Sequence, residues 1–229
     1  MGIGGKEMET SLNKAGTLTL KKEKNASIHY SVEVQEKALY KTFSRLLDIL
    51  VSLIGLIFTL PVIIIFAFLI KIEDNGPAFY KQERLGKGEK RFWVYKLRSM
   101  RMDAEKYGIQ WADKDDPRIT KVGGFIRKTR IDELPQLINI LNGDMKLIGP
   151  RPERPELTDE FDQDIPGFKS RLVVKPGLTG WAQVNGGYEI TPEEKLQLDI
   201  YYIQNKSFSL DVKIILKTIK VVITGDGAR

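Results

Sequence analysis

The sequence predicts an α+β fold, in which a small mixed α/β body follows an N-terminal membrane-associated segment and carries amphipathic helices at the membrane surface. Three observations lead to this prediction. Residues 49–70 form an apolar run without a charge, long enough for a membrane helix. Two aromatic-rich stretches flank the Gly-Lys-Gly of residues 86–88, which is typical of a β-hairpin. Apolar residues at helical spacing then occupy residues 134–141.

Composition limits the chemistry open to the chain. The 229 residues include 36 lysines and arginines against 30 aspartates and glutamates, a formal charge of +6 that suits an anionic partner. There is no cysteine, and the only histidine, His29, lies in a polar stretch. Disulfides and thiolate metal sites are therefore excluded, and a histidine-based triad is disfavoured. Acid–base or nucleophilic chemistry must fall on carboxylates, Lys, Tyr, Ser or Thr.

Changes in composition along the chain predict three regions. The first is polar, rich in Gly, Lys, Ser and Thr, and has no helical period, which predicts a flexible leader. The second contains the apolar run, and the third is a mixed body of strands and helices. The predicted boundaries are 1–35 for the leader, 36–72 for the membrane-associated segment and 73–229 for the cytoplasmic body with its membrane-surface helices.

The apolar run allows two membrane topologies. As one helix, residues 49–70 are about 33 Å long, enough to cross a hydrocarbon core of roughly 30 Å. Pro61 lies near the middle and lacks a backbone donor, so a kink is expected, and a helix–break–helix could enter one leaflet and return. A spanning helix favours basic residues on one side only. Here both flanks are basic, as a hairpin would require, and the two topologies stay open.

The predicted hairpin, within residues 77–100, ends in two cations. Lys96 and Arg98 are two residues apart, so a strand would place them on one face. Either this is a solvated strand face, or the two cations bind a phosphate.

An acidic tripeptide follows the hairpin. Asp113 and Asp115 form a DxD sequence, which in metal-dependent glycosyltransferases holds the divalent ion of a nucleotide. Three residues are weak evidence, and an acidic loop before Pro117 explains them equally well.

Adjacent carboxylates, Asp132 and Glu133, precede the amphipathic helix of residues 134–141. Pro135 would lie in the first turn, where its missing N–H is tolerated, and Asn142-Gly143 is a typical helix end. Asp132 is therefore expected at the helix start, as the N-cap or a first-turn residue. Free N–H groups and a partial positive charge stabilise a carboxylate there.

Cations surround this acidic pair in the sequence. Arg127, Lys128 and Arg130 precede it, and the GPRPERP stretch of residues 149–155 follows it. Prolines on both sides would hold Arg151 in a stiff, extended segment, so that its planar fork suits a phosphate. Carboxylates, fixed cations and a helix start together suit a phosphoryl group and Mg²⁺.

The C-terminal third contains two further features. The PGLTGWAQVNG stretch of residues 176–186 is glycine-rich, which indicates either tight turns or a loop close to a ligand or to other backbone. Lys213, Lys217 and Lys220 share one face of a predicted helix. That helix either lies on an anionic membrane surface or packs on the core.

Several long stretches together resemble one family. The apolar run with Pro61, GPAFYKQERLGKGEKRFWVYKLRSM, RIDELPQLINILNGDMKLIGPRP, KPGLTGWAQVNG and LDIYYIQNKSFSLDVKIILKT occur in its order and cover roughly residues 40–224. The chain thereby resembles the monotopic phosphoglycosyl transferases, a bacterial sugar transferase family that initiates polysaccharide and glycoconjugate assembly, including exopolysaccharide and capsule. The family often has Ser-Pro at the helix break, where this chain has Leu60-Pro61.

The resemblance implies a fold and a reaction. It implies a re-entrant membrane helix, an α/β catalytic body and surface helices at the cytoplasmic face of the cell membrane. It implies transfer of a phospho-sugar from a UDP-sugar to undecaprenyl phosphate, with release of UMP. Membrane lipids are further expected partners and nucleic acid is not; the sugar and a homo-oligomeric state are left open.

The resemblance also implies roles for individual residues. The catalytic dyad falls on Asp132 and Glu133, which would hold Mg²⁺. We expect Asp132 to attack the phosphorus next to the sugar and form an acyl phosphate, kept ionised by the helix start, while Glu133 positions the metal or assists the second step. The lipid-phosphate arginine falls on Arg127. The remaining expected substrate-binding residues are Lys96, Arg98, Pro150, Arg151, Pro152 and Gln183.

Two other functions compete with this one. A membrane-anchored glycosyltransferase would bind its nucleotide through Asp113 and Asp115 and release UDP. A non-enzymatic anchor would use its basic surface to bind anionic lipid or nucleic acid and would release no nucleotide.

Overall fold

The apolar run forms part of one long helix, α1 (Ala38–Glu73), in the computed structural model. The structure describes residues 18–22, 28–32, 38–106, 108, 116–186 and 190–224. With 36 residues, α1 is about 54 Å long. It is the one helix among the described residues that is long and apolar enough to cross a membrane.

Pro61 lies inside α1 and does not end it. A proline removes one backbone donor, and the apolar turns on either side continue the helix across that gap. The structure therefore does not divide the run into two helices, 49–60 and 61–70, as the hairpin interpretation expected. On its outer face α1 exposes large apolar side chains along much of its length, such as Phe58, which is 77% exposed.

Two antiparallel hairpins and one parallel strand pair make up the described sheet structure. Strands β1 (Leu18–Lys22) and β2 (Ile28–Val32) form the first hairpin. They lie in the predicted leader, where no regular structure was expected. Strands β3 (Phe79–Leu85) and β4 (Arg91–Leu97) form the second, with Gly88 in the left-handed region at φ 63° between them. This confirms the β-hairpin predicted around residues 86–88.

Helices and short turns connect these strands into one body. The described elements after β4 are, in chain order, α2 (Lys121–Lys128), a 3₁₀ turn (Ile131–Glu133), α3 (Gln136–Asn142), β5 (Lys146–Ile148), α4 (Pro155–Asp164), a 3₁₀ turn (Phe168–Val173), β6 (Gly177–Thr179), α5 (Trp181–Asn185), α6 (Pro192–Asn205) and α7 (Phe208–Thr224). Strands β5 and β6 pair in parallel. Helix α3 ends at Gly143 with φ 85°, which confirms the predicted helix end.

Three buried clusters hold the body together. One joins the C-terminal half of α1, through Ile63 and Ile70, to β4 and α2. A second packs the inner face of β4 against α3, and a third packs β5 against α6 and α7. Each fully buried large apolar side chain contributes about 1.5–3 kcal/mol relative to exposure. The first cluster also contains Ile131 and Leu134, which flank the acidic pair and so fix its position.

Both ends of α1 contact this same body. Near the N-terminal end, the Arg45 guanidinium donates hydrogen bonds of 2.6 and 2.8 Å to the last carbonyl groups of α3. At the C-terminal end, the Glu73 carboxylate accepts hydrogen bonds of 2.7 and 2.8 Å from the first two N–H groups of α2. The folded body therefore contacts α1 near both of its ends.

Candidate active site

The acidic pair lies in a tight turn between α2 and α3. Arg130 has a left-handed backbone (φ 58°) that turns the chain into the 3₁₀ turn Ile131–Glu133. Helix α3 begins at Gln136, so Asp132 is not its N-cap, which corrects the sequence prediction. Pro135 tolerates either a helical or a 3₁₀ turn, and the packing of Ile131 and Leu134 against the core selects the 3₁₀ turn. The turn closes instead through 3₁₀-type bonds such as Leu134 N–H to Ile131 O, 3.2 Å.

Glu133 is held by two cations from different parts of the chain. It is 9% exposed. Its Oε1 lies 3.0 Å from Lys96 Nζ on β4, and its Oε2 lies 3.3 Å from Arg151 Nη1; Arg151 Nη2 donates to Oε1 as well. Burial acts to raise the pKa of Glu133, but the charges and hydrogen bonds of Arg151 and Lys96 hold it well below the usual value. Glu133 is therefore a fixed anion.

Asp132 differs from its neighbour in having no such partners. It is 8% exposed, and among the described residues its carboxylate makes no hydrogen bond or ion pair. Burial and then the charge of Glu133 raise the pKa of Asp132 to about 6, against the opposing charges of Lys96, Arg151 and Arg127. The ionised form of Asp132 therefore still predominates at pH 7. The site thus pairs a carboxylate that two cations hold ionised with a buried carboxylate that has no hydrogen-bond or ion-pair partner among the described residues.

This electrostatic balance corrects a second prediction. A helix start was expected to keep Asp132 ionised, yet desolvation in the turn raises its pKa. Three nearby cations, not a helix N-terminus, favour the charged form.

Arg127 supplies a cation without a partner beside this pair. It lies in the last turn of α2 and is partly buried. In the part of the chain that the structure describes, its guanidinium has no hydrogen-bond or ion-pair partner, and its charge acts to lower the pKa of Asp132. Arg127 is thus available to an incoming anion, and its role with a lipid phosphate stays a prediction.

The structure brings Arg151 to the dyad but separates Arg98 from it. Arg98 Nη2 donates to the carbonyl of Asp74, just after α1, and lies 3.7 Å from the Asp74 carboxylate. Strand β4 ends at Leu97, but the N–H of Arg98 still donates to the carbonyl of Ala78 at 2.8 Å, so it is their side-chain contacts that separate Lys96 from Arg98. Lys96 therefore faces Glu133 and Arg98 holds the end of α1, and a substrate-binding role for either cation stays a prediction.

Gln183 and the glycine-rich stretch lie against the backbone of neighbouring segments, at Leu178 and Gly149. Gln183, on α5, donates from Nε2 to the carbonyl of Leu178 at 3.2 Å, and its buried Oε1 has no partner among the described residues. A side chain at Gly177 or Gly180 would collide with the backbone of Gly149. This supports the close-backbone interpretation of the stretch, and a substrate role for Gln183 stays a prediction.

The dyad fits Mg²⁺ only together with a substrate phosphate. The described residues contain no group of three or more His, Asp or Glu side chains that could hold a metal by themselves. Mg²⁺ commonly binds one or two carboxylates, with substrate phosphates and waters completing its shell. Asp132 offers an unpartnered carboxylate, and Glu133 retains one lone-pair site, on Oε2, beyond those that Lys96 and Arg151 engage. The two residues therefore fit a metal brought with a diphosphate.

Asp113 and Asp115 lie outside the described residues, within 109–115.

Fold and site together define an α+β protein with a membrane-length helix and a buried carboxylate–cation site suited to a phosphorylated substrate. The chain belongs to the bacterial sugar transferase family, whose model matches residues 39–225. This confirms the resemblance found in the sequence.

Curated relatives cover most of this chain. A UDP-N-acetylgalactosamine-undecaprenyl-phosphate N-acetylgalactosaminephosphotransferase of Aeromonas hydrophila is 47% identical over 83% of the chain, which spans 46% of that protein. The galactosyl transferase CpsE of Streptococcus agalactiae is 43% identical over 87% of the chain, which spans 47% of it. A UDP-glucose:undecaprenyl-phosphate glucose-1-phosphate transferase of Caulobacter vibrioides is 39% identical over 80% of the chain, which spans 71% of it.

Proposed function

We propose that the protein transfers a sugar 1-phosphate from a UDP-sugar to undecaprenyl phosphate and releases UMP. The observation that carries this proposal is the buried, unpartnered carboxylate of Asp132 beside Glu133, which Lys96 and Arg151 hold ionised. Relatives named for transfer to undecaprenyl phosphate support the substrate class. Because those relatives differ in their sugar, the sugar itself is left unassigned.

In the first step, an oxygen of Asp132 attacks the phosphorus next to the sugar. The new O–P bond forms as the bond from that phosphorus to the oxygen bridging the two phosphates breaks, and UMP leaves with the bonding electrons. Asp132 then carries the phospho-sugar as an acyl phosphate. Arg151 and Lys96 stabilise the charge that develops on the phosphoryl oxygens.

In the second step, an oxygen of undecaprenyl phosphate attacks the same phosphorus. The O–P bond to Asp132 breaks, which restores the carboxylate and yields the lipid diphospho-sugar. Arg127, the unpartnered cation beside the dyad, would hold the lipid phosphate for this attack. When bound at Asp132 and Glu133, Mg²⁺ supplies neutralisation of the diphosphate charge.

The released nucleotide tests this proposal against its alternatives. Purified protein in detergent, with Mg²⁺ and undecaprenyl phosphate, is screened over a set of UDP-sugars. Release of UMP from at least one of them is expected. Release of UDP would favour the glycosyltransferase that uses Asp113 and Asp115, and release of no nucleotide from any UDP-sugar would favour the non-enzymatic anchor.

The pKa of Asp132 predicts the acidic limb of the pH–rate profile. Because the attacking form is the carboxylate and its pKa is raised to about 6, kcat/KM should rise with pH through about 6 and then level off. Lys96→Gln removes a charge that lowers this pKa, so the limb should shift to higher pH. Lys90→Gln, an exposed position of the same hairpin, should leave it unchanged. An unshifted limb in Lys96→Gln would assign the titration to another group.

We further propose that α1 bends at Pro61 inside the cytoplasmic leaflet, so that both of its ends lie on the cytoplasmic side. The contacts of Arg45 and Glu73 with one folded body support this topology. A single body that contacts α1 near both ends cannot lie on two sides of a bilayer. Helix α7 supports it too: Lys213 and Lys217 lie over the Trp181 ring at 5.2 and 5.0 Å, while apolar residues such as Ile223 are exposed. The exposed face of α7 would rest on the same membrane surface.

Cysteine labelling measures this topology. The natural chain has no cysteine, so Lys41→Cys and Lys90→Cys introduce single thiols at exposed positions on either side of the apolar run. In intact cells, both should resist a membrane-impermeant thiol reagent, and both should react after lysis. Reaction of only one of them in intact cells would establish a spanning helix.

A further inference from the structure

The carbonyl groups of residues 150–153 are held by donors from separate parts of the fold. This segment carries Arg151, and its residues 150 and 152 are prolines, which have no N–H to donate. All four consecutive carbonyl groups nevertheless accept a hydrogen bond. In chain order, the donors are Gly177 N–H at 2.9 Å, Arg171 Nη2 at 2.9 Å, Arg84 Nη1 at 2.9 Å and Leu85 N–H at 3.0 Å.

Arg171 is a buried, charged member of this set of donors. It lies in the 3₁₀ turn Phe168–Val173 and is 1% exposed. Its Nε donates to Asp199 Oδ2 on α6 at 2.9 Å, and its Nη2 reaches both that oxygen and the carbonyl of Arg151, each bond within hydrogen-bonding distance. The guanidinium fork thereby connects α6 to the backbone of Arg151.

A buried ion pair of this kind is not explained by stability alone. Desolvation of two charges offsets much of their attraction, and apolar residues of similar size often serve as well or better. The geometry supplies another role, because a planar fork can bind Asp199 and the carbonyl of residue 151 together, and a lysine cannot.

Glu153 extends the same arrangement at the other end of the segment. It is buried, and its carboxylate contacts Arg84 at 3.4 Å and also Lys195 on α6. The charges of Lys195, Arg171 and Arg84 outweigh the effect of burial and lower the pKa of Glu153 to about 2. Charged hydrogen bonds therefore fix the segment at the carbonyl of Arg151 and at the side chain of Glu153.

We propose that Arg171, held by Asp199, is a positioning residue that fixes the backbone of residues 150–153 so that the fork of Arg151 meets Glu133 and the substrate phosphate. Arg171 itself touches neither the dyad nor the substrate. This role rests on the proposed phosphoryl transfer, in which Arg151 binds the reacting phosphate.

The decisive variant removes the ion pair without leaving a buried charge. In Arg171→Met/Asp199→Leu, the chain should fold with a Tm near that of the natural protein, because two apolar residues replace the pair. With Arg151 no longer fixed, kcat should fall by about 10²-fold, with a smaller change in KM. The matched control is Lys169→Gln/Asp159→Asn, which removes a more exposed 2.7 Å ion pair between the same 3₁₀ turn and α4 and should keep full activity.

A double-mutant cycle separates positioning from general damage. Arg151→Lys is made in the natural background and in the Arg171→Met/Asp199→Leu background. If Arg171 acts through Arg151, the second loss should be much smaller than the first, because the fork is already misplaced. Losses that multiply, or an unchanged kcat in the folded double variant, would overturn the proposal.

Two further measurements cover the remaining outcomes. If the double variant does not fold, Arg171→Lys keeps the charge beside Asp199 but loses the fork, so kcat should still fall; full activity there would contradict the proposal. If the natural protein releases no UMP at all, the proposed function fails. The positioning of residues 150–153 by Arg171 is then tested by hydrogen exchange instead. The amides of Arg151 and Glu153 should then exchange faster in Arg171→Lys than in the Lys169→Gln/Asp159→Asn control. Equal rates would contradict the proposal that Arg171 fixes the backbone of residues 150–153.

Discussion

Asp132→Asn is expected to lower turnover by at least about 10⁴-fold, the range seen when a catalytic nucleophile is removed. Asparagine preserves the size of the side chain and part of its hydrogen bonding, but its amide oxygen cannot attack phosphorus and form an acyl phosphate. The steady-state rate of UMP release, with a UDP-sugar, Mg²⁺ and undecaprenyl phosphate, measures the loss. Asp144→Asn, just beyond the opposite end of α3, is the matched control and should keep full activity.

A burst without lipid tests the same residue more directly. The natural protein, given only a UDP-sugar and Mg²⁺, should release UMP up to the enzyme concentration and then stop. Mass spectrometry should find one phospho-sugar on the peptide that contains Asp132, and the adduct should be labile to base. Asp132→Asn should show neither burst nor adduct.

A direct transfer would give a different pattern. If lipid phosphate attacked the UDP-sugar itself, UMP would appear only when undecaprenyl phosphate is present, and no labelled enzyme would form at any time. That result would leave Asp132 as a metal ligand and remove it as the nucleophile.

Elements that depend on nearby residues could be predicted from the sequence. The hairpin β3–β4 follows from alternating aromatic residues around glycines, and the end of α3 follows from Gly143 in the left-handed region. The turn of the hairpin and the end of α3 each depend on residues within about ten positions of one another. At these places, local propensity and tertiary packing favour the same structure. The exact start of α3 was missed because Pro135 permits a 3₁₀ turn or a helical turn, and only the packing of its neighbours selects one.

Long-range contacts explain what the sequence could not indicate. Lys96 and Arg98 look equivalent two residues apart, yet one faces Glu133 and the other binds Asp74, and both partners lie far away in the chain. Arg171 carries no local signal beyond being a charge in an apolar stretch, and its partner Asp199 lies on another helix. The raised pKa of Asp132 likewise depends on burial, which only the folded chain defines.

Helix α1 shows the same limit in the membrane segment. Its apolar run, its length and Pro61 are visible in the sequence, but hydropathy alone does not distinguish a span from a segment that returns. The contacts of Arg45 and Glu73 with the body are what favour both ends on one side. Such contacts come from residues that precede and follow the apolar run, and they carry no hydropathy signal.

Arg151→Ala is expected to lower kcat by about 10²- to 10³-fold, the range seen when one donor to a developing oxyanion is removed. The guanidinium binds both oxygens of Glu133 and lies in a segment whose carbonyl groups are all held, so it can meet a phosphate with little loss of entropy. Its removal also takes away a charge that lowers the pKa of Asp132. The acidic limb of the pH–rate profile should therefore shift to higher pH.

Arg151→Lys separates the fork from the charge. Lysine supplies a point charge, so the pH–rate limb should return toward that of the natural protein, while kcat should stay low because two parallel donors are lost. Arg154→Lys is the matched control: Arg154 lies three residues later, pairs with Glu105 at 2.9 Å, and should tolerate the change. Full activity in Arg151→Lys would mean that the reaction needs only a positive charge at this position, and that the rigid presentation of the fork by residues 150–153 has no part in catalysis.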